Sequence, residues 1–211
     1  MPELHLKVLP AEQRRLWGHL QKLAGFLNPL GYYLAGGTAL ALQIGHRRSL
    51  DFDFFSVKPG LGTQTQKRAE HLEHFLARDF DQDTLHAEIA GVKVSFISAY
   101  KYPTVEPFVA AGRLKLASMM DIGLMKLLAL THRSALRDYL DLAVIVRDHI
   151  PLQKLLETSR KKYGRDFNRM IPLRALVTFT DLDQEMPAML DKTLKKSWQK
   201  ILRDAVKKTA G

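Results

Sequence analysis

Residues 36–55, GGTALALQIGHRRSLDFDFF, decide the fold. The small and apolar residues after the paired glycines predict a short helix over residues 38–44, which Gly45 ends. Asp51 and Asp53 then alternate with phenylalanines, a pattern typical of a strand. Because successive side chains of a strand point to opposite faces, both carboxylates lie on one face, about 7 Å apart.

This pattern indicates a site for a metal ion and a phosphate group. Carboxylate oxygens suit a hard cation such as Mg²⁺, and the backbone N–H groups at a helix start suit a phosphate. The plain alternative is a half-buried strand that carries two surface acids. Two glycines, Ser49 and the acid pair within one short window favour the site.

The composition is that of an ordinary globular protein with a core of its own. Of the 211 residues, 46% are hydrophobic and 26% are charged. The absence of cysteine excludes disulfides and thiolate zinc sites. No apolar run approaches the roughly 18 residues that span a bilayer, and the N-terminus lacks the hydrophobic block of a signal peptide. We therefore expect a cytoplasmic protein without membrane contact.

The positive charge is concentrated towards the C-terminus. The chain carries a net charge of +10, and residues 151–211 hold 14 Lys and Arg against 7 Asp and Glu. Such a region attracts a polyanion such as RNA. The alternative is a solvated helical face, and composition alone does not separate the two.

Residues 1–117 are predicted as an α/β (α+β) domain. The apolar spacing and turn residues predict a helix over 11–28, a strand over 32–35, a loop over 58–66, a helix over 66–78, a hairpin of strands 85–90 and 92–98, and an edge strand over 114–117. His71 and His74 would lie three residues apart on the second of these helices. Their glutamate neighbours indicate a solvated face rather than a metal pair.

Residues 118–211 are predicted as a helical domain. Helices are expected over 119–130 and 135–148, and after Pro151 the pattern is helical with breaks near Gly164, Pro172 and Pro187. Lys126 has Leu, Met and Ala neighbours, among which an unpaired ammonium group is costly to bury. It is therefore either a cation that faces a cleft and meets a phosphate, or the partner of Asp138 or Asp141 in an ion pair.

Two blocks of sequence carry a family resemblance. The glycine pair followed by Asp-x-Asp resembles the signature of the DNA polymerase β-type nucleotidyltransferase superfamily. The longer string over residues 34–55 is similar to the AbiEii/AbiGii toxin family, which is linked to abortive infection and toxin–antitoxin systems. So is the string DIGLMKLLAL over residues 121–130, together with Arg133 and the RDYLDL of residues 137–142.

The resemblance implies a protein of two lobes with a cleft between them. The first would be a nucleotidyltransferase-fold mixed sheet with flanking helices, and the second would be helical. The family further implies Mg²⁺ or Mn²⁺ as cofactor and an NTP as substrate. The nucleotide is transferred to an acceptor, which in some members is the 3′ end of tRNA.

The resemblance also implies roles for individual residues. Gly36, Gly37, Thr38 and Ser49 would bind the phosphates of the nucleotide, Asp51 and Asp53 the metal, and Lys126 the triphosphate. Asp138 would orient Lys126 or assist the acceptor hydroxyl, with Asp141 as the second choice. Arg47 and Arg48 would contact a phosphate or the acceptor, although surface ion pairs are the commoner role of such residues.

One position departs from the superfamily pattern. A third carboxylate usually stands on a later strand beside the Asp pair, and here the equivalent position holds Ser95. A hydroxyl does not supply the charge of a carboxylate at a two-metal site. Either Glu88 takes its place diagonally, unless it pairs with Lys93, or one metal suffices, or the protein binds nucleotides without efficient transfer.

The sequence therefore predicts an Mg²⁺-dependent nucleotidyltransferase of the AbiEii toxin type. It would transfer a nucleotide from an NTP to RNA, with the tRNA 3′ end as one candidate acceptor and a protein as another. The first alternative is a catalytically weak nucleotide- or partner-binding module of a toxin–antitoxin system, which acts with a cognate antitoxin. The second is a plain RNA-binding domain, which would leave the glycine and aspartate pairs unexplained.

Overall fold

A computed structural model describes residues 3–180, 182–183 and 186–209. The chain divides into two compact units, Met1–Ser118 and Met119–Gly211. The described residues form seven strands and eight α-helices, together with two short 3-10 turns. None of the helices in this part of the chain is both long enough and apolar enough to cross a bilayer.

The first unit is built on one mixed sheet. Its elements are α1 (Ala11–Leu27), β1 (Tyr33–Ala35), α2 (Gly36–Ile44), β2 (Asp51–Phe55), α3 (Gly62–Ala69), β3 (Phe75–Phe80), β4 (Thr84–Ile89), β5 (Val92–Ile97), β6 (Val109–Ala111) and β7 (Leu114–Leu116). The strand order is β3-β4-β5-β2-β1-β7-β6. The central strand β2 is parallel to β5 and antiparallel to β1. The predicted mixed α/β fold is confirmed.

The central strand β2 has one apolar face and one polar face. Phe52 and Phe54 are fully buried on one face. The ring of Phe52 stacks on Trp17 of α1 at 6.1 Å, and that of Phe54 on Phe96 of β5 at 5.2 Å. Burying a phenylalanine stabilises the fold by about 1.5–3 kcal/mol. The other face is only partly covered and carries the two aspartates.

The helix predicted over residues 66–78 is wrong in most of its length. Helix α3 ends at Ala69, and Phe75–Phe80 forms the edge strand β3, antiparallel to β4. His74 has a φ of 51°, which no helix tolerates, and it lies in the turn before the strand. The helical spacing of apolar residues there was coincidental, since Leu76 is half exposed at the sheet edge.

The loop predicted over residues 58–66 is also shorter than expected. Helix α3 begins at Gly62, whose N–H donates to the carbonyl of Gln82 over 2.9 Å. A Cβ at this position would overlap the carbonyl of Asp81. Glycine is therefore a condition of the close contact between the start of α3 and the β3–β4 turn.

The strand hairpin is confirmed, and the edge strand is corrected. Ala90 and Gly91 join β4 to β5 with φ values of 50° and 77°, as a two-residue hairpin turn requires. Strand β7 does not lie at the edge, because it pairs with β1 on one side and with β6 on the other. The three-residue strand β6, which is the true edge, is too short to show a pattern in the sequence.

The second unit is helical, as predicted. Its helices are α4 (Met119–Ala129), α5 (Leu136–Asp148), α6 (Leu152–Tyr163), α7 (Met170–Thr178) and α8 (Lys192–Thr209). Tyr139 of α5 packs against Trp198 of α8, with their ring centroids 6.0 Å apart. The break predicted near Pro172 lies at residues 167–169, and Pro172 itself stands in the first turn of α7. A proline there costs no intrahelical hydrogen bond.

Candidate functional site

The start of α2 lies directly against the carboxylate of Asp53. Ala35, the last residue of β1, pairs with Asp53 across the β1–β2 ladder, and Gly36 follows it with a φ of 68°. A Cβ on Gly36 would come 3.1 Å from Asp53 Oδ2. Two features therefore favour glycine at position 36: the left-handed backbone conformation and the close contact with the Asp53 carboxylate. The structure brings the glycine turn and the acid strand together, as the sequence predicts.

The second glycine of the pair contacts a buried arginine. The Arg47 guanidinium occupies the space that a Cβ on Gly37 would need. Arg47 is only 2% exposed, and its Nη1 donates to the carbonyl of Arg48 over 3.1 Å. The surface ion-pair role is thus wrong for Arg47, whereas Arg48 is exposed. The guanidinium of Arg47 and the N-terminus of α2 are both groups that favour an anion.

The side chains of Thr38 and Ser49 contact each other next to the first residue of β2. Both side chains are buried, and their hydroxyl oxygens are 2.7 Å apart. The hydroxyl of Thr38 donates to the backbone carbonyl of Asp51, and its oxygen lies 3.5 Å from Asp51 Oδ1. These contacts fix the first residue of β2 against α2. Their predicted role in binding the nucleotide stays a prediction.

Each of the two aspartates begins a series of polar cross-strand partners that extends over β2, β5 and β4. Asp53 pairs with Ser95, and Asp51 with Lys93, in the parallel ladder between β2 and β5. Ser95 therefore lies beside Asp53 on the neighbouring strand, where the resemblance leads us to expect a third carboxylate. Its Oγ lies 3.1 Å from Nδ1 of His86, which is directly opposite on β4.

Glu88 does not replace the missing acid. It lies opposite Lys93 on β4, as the two-residue turn predicts. Its carboxylate, however, pairs with Nη2 of Arg78 on β3 at 2.7 Å, which directs it away from β2. The expected ion pair with Lys93 is therefore replaced by one with Arg78.

Asp51 and Asp53 are a fitting pair of ligands for a magnesium ion. Mg²⁺ is usually held by one or two carboxylates, and water and substrate phosphates supply the remaining oxygens. The described residues contain no group of three or more metal-ligating side chains. A metal here would thus depend on the two aspartates and on the bound nucleotide.

Lys126 in the second unit is held by two carboxylates. Its Nζ lies 2.6 Å from Asp138 Oδ1 and 2.9 Å from Asp141 Oδ2. The side chains are 9%, 1% and 0% exposed, respectively. The predicted ion pair is confirmed, and it involves both aspartates. Contact of Lys126 with a triphosphate stays a prediction.

Asp138 is held in its ionised form. Burial by itself raises the pKa of Asp138, but the charge of Lys126 and the hydrogen bond from Arg133 outweigh it and hold this pKa below its usual value. Arg133 Nε donates to Asp138 Oδ2 over 2.8 Å. A carboxylate so stabilised is a weak base. The arrangement favours the role of orienting Lys126 over that of accepting a proton from an acceptor hydroxyl.

Comparison with known families agrees with this geometry. Residues 23–124 and 106–210 match the family model described as the nucleotidyl transferase AbiEii toxin of a type IV toxin–antitoxin system. The chain belongs to this family. The predicted membership is confirmed, and it extends over both units.

Similar proteins place this AbiEii-family chain among nucleotidyltransferase folds. An uncharacterised protein of Aquifex aeolicus (strain VF5) is 34% identical over 185 residues, or 86% of this chain and 88% of that protein. The crystal structure of JHP933 from Helicobacter pylori superposes with a TM-score of 0.53 at 17% identity, over 94% of this chain and 92% of that one. MenT4, a nucleotidyltransferase toxin of Mycobacterium tuberculosis H37Rv, gives 0.55 at 15% identity, over 92% and 82%. These two likenesses show a shared fold.

Sequence reasoning missed two features of this AbiEii-family protein. One is His86, whose place beside Ser95 follows from the same two-residue turn that positions Glu88. The other is a buried ion pair between Asp121 of α4 and Lys162 of α6, at 2.9 Å. Asp121 and Lys162 are 41 residues apart, and nothing in the spacing of the chain links them.

Proposed function

We propose that this chain is a metal-dependent nucleotidyltransferase that transfers a nucleotide from an NTP to a hydroxyl group of an RNA acceptor. One observation carries the proposal. Asp51 and Asp53 share the accessible face of β2, and the backbone of Gly36 at the start of α2 lies against Asp53. Carboxylates for a cation and a helix start for a phosphate thus stand side by side.

The chain's own groups would hold the nucleotide in a fixed orientation. The first-turn backbone of α2 and the Arg47 guanidinium beside Gly37 favour the negative charge of the phosphates. Asp51 and Asp53 hold Mg²⁺ or Mn²⁺, which when bound neutralises charge on the phosphate oxygens. The hydroxyl oxygen of the acceptor then attacks the α-phosphorus. The bond between the α-phosphorus and the oxygen that bridges it to the β-phosphorus breaks, and pyrophosphate leaves. The hydroxyl proton passes to solvent.

The charge distribution and the family membership support an RNA acceptor and a protein partner. The net charge of +10, with its excess over residues 151–211, supports an RNA acceptor, of which the tRNA 3′ end is one example. Membership of a type IV toxin–antitoxin family supports a cognate antitoxin as a partner and growth inhibition as the outcome of transfer.

The test is transfer of label from each radioactive NTP to total tRNA in the presence of Mg²⁺. The wild-type protein is expected to label RNA with at least one NTP. Asp51→Asn and Asp53→Asn keep the side-chain shape but remove the charge that holds the metal. Each is expected to lower transfer by at least about 100-fold, since changes even beyond the direct ligands cost 10–100-fold.

The matched control is Asp79→Asn, which changes an exposed acid on β3 of the same unit. It is expected to transfer label at the wild-type rate. Equal transfer by wild type and both β2 variants would overturn the proposal, as would labelling of a protein acceptor in place of RNA.

A second function is favoured by Ser95. Because a hydroxyl stands beside Asp53 where a third carboxylate is usual, the chain would bind an NTP without efficient transfer. Calorimetry with each NTP and Mg²⁺ separates the two functions. Binding that requires Asp51 and Asp53, with no label transferred to any acceptor, would establish the binding module.

A further inference from the structure

Five aromatic rings in the first unit touch one another in a continuous series, which we call the aromatic row. In order they are Phe108, Tyr33, Phe55, Tyr100 and Tyr102, and successive ring centroids are 4.9, 6.3, 5.1 and 5.9 Å apart. Aromatic pairs at such distances attract one another and are common inside proteins. Two features distinguish this row from a cluster of rings in the core: its position on the sheet and the lysines beside it.

The aromatic row begins next to the acids of β2. Phe55 lies two residues after Asp53 on the same strand, so its ring is on the face of the carboxylates, about 7 Å further along. Tyr33 is the partner of Phe55 in the β1–β2 ladder, as Ala35 is of Asp53. The row therefore extends the polar face of the sheet rather than its buried face.

The row is partly exposed along most of its length and has a lysine near each end. Tyr33 is buried and forms its base, whereas Phe108 is 39% exposed and Phe55, Tyr100 and Tyr102 are partly exposed. Lys115 Nζ lies 5.8 Å from the centroid of the Phe108 ring at one end. At the other end, Lys101 Nζ lies 5.3 Å from the centroid of the Tyr102 ring. Both lysines are exposed.

We propose that the aromatic row binds unpaired nucleobases at the end of the RNA acceptor strand. Bases without a pairing partner stack on aromatic side chains in a manner that tolerates any sequence, and nearby cations neutralise the adjoining phosphates. The inference rests on the proposed function, in which the acceptor is RNA. It adds the surface that would hold the RNA acceptor strand next to Asp51 and Asp53.

Charge favours the acceptor strand over the base of the NTP. A nucleoside triphosphate carries its charge at one end, and the start of α2 with Arg47 already offers a place for that charge. Lys101 and Lys115 lie at opposite ends of the aromatic row, which suits a chain with a phosphate at every nucleotide. The row also has more rings than the one or two that a single base covers.

The test measures stacking directly, without NTP or metal. The probe is a single-stranded RNA with 2-aminopurine at its 3′ end, whose fluorescence is quenched when the base stacks. The full-length wild-type protein is expected to bind it with quenching. Phe108→Leu and Tyr102→Leu are each expected to weaken binding about 10-fold and to reduce the quenching.

The matched control is Phe80→Leu, which changes a ring that is 51% exposed on β3, at the opposite edge of the sheet. It is expected to bind and quench as the wild type does. A blunt duplex with the same label is expected to show no quenching, since its bases are paired. Circular dichroism of each variant confirms that a loss of binding is not a loss of fold.

Several results would overturn the inference. They are normal RNA binding by folded Phe108→Leu and Tyr102→Leu, no RNA binding by the wild type, or a loss of NTP affinity in calorimetry in place of RNA affinity. The last would assign the row to the base of the NTP. Asp51→Asn is expected to keep the quenching although it loses transfer, so failure of the proposed function and failure of this inference give different results.

Discussion

At the scale of the residue, the paired glycines are fixed for different reasons. Gly36 needs a left-handed backbone and meets the carboxylate of Asp53, whereas Gly37 leaves room for the buried guanidinium of Arg47. A motif search treats the two as equivalent. Their different surroundings mean that substitutions at each would disturb a different charged group, the Asp53 carboxylate at one and the Arg47 guanidinium at the other.

Gly37→Ala is expected to destabilise the fold by about 1–3 kcal/mol, because its methyl group must displace a guanidinium that is already packed and hydrogen-bonded. It is also expected to weaken NTP binding. Denaturant unfolding and calorimetry measure the two effects. Gly25→Ala is the control, since a Cβ there would meet nothing within 4 Å on helix α1. It should leave the free energy of unfolding unchanged or raise it by up to about 1 kcal/mol.

At the scale of the element, helices α4 and α5 are joined by buried charge rather than by apolar contact alone. Lys126 of α4 pairs with Asp138 and Asp141, both on α5. Asp121, also on α4, pairs with Lys162 of α6. Removing one partner of a buried ion pair costs about 3–5 kcal/mol where it leaves the other charge without compensation. These ion pairs therefore favour one position of α4 relative to α5 and α6.

The stabilisation by Asp138 is expected to depend on pH. Since the pKa of Asp138 is lower in the folded protein than in the unfolded chain, its carboxylate stabilises the fold above the unfolded value of about 3.9. This stabilisation is lost as the pH falls through the folded-state value. Asp138→Asn leaves Lys126 paired with Asp141, so it should cost about 1–3 kcal/mol at pH 7, and less at pH 3, in denaturant unfolding.

The control for this prediction is Asp79→Asn, whose side chain is exposed. It should change the free energy of unfolding by no more than about 0.5 kcal/mol at either pH. A cost for Asp138→Asn that is the same at pH 7 and pH 3 would contradict the account, because it would show that packing rather than charge makes the difference.

At the scale of the whole molecule, the uneven charge is the property most relevant to an RNA partner. Exposed lysines are frequent on α8, among them Lys195 and Lys196. If this helix contacts RNA phosphates, Lys195→Gln and Lys196→Gln should each lower the slope of log affinity against log salt concentration by about 0.7. Lys67→Gln on α3 is the control. Unchanged slopes in all three would show a solvated face.

Much of this protein follows from its sequence alone. The alternation of Asp51 and Asp53 with apolar neighbours determined β2, and the glycine pair determined the turn into α2, because both patterns are local in the chain. The hairpin with Ser95 and Glu88 followed from a two-residue turn for the same reason. The family and the mixed fold were predicted from these and a second local block, and the Lys126 ion pair was one of two alternatives for that residue.

The tertiary structure alone decided what depends on distant residues. Residues 75–80 form a strand because they pair with β4, although the spacing of the apolar residues in this segment is typical of a helix. Tertiary packing also buried Arg47 against Gly37, turned Glu88 towards Arg78, joined Asp121 to Lys162 and brought Tyr33, Phe55 and Phe108 into one row. Such contacts join side chains far apart in the chain, and packing rather than local spacing selects them.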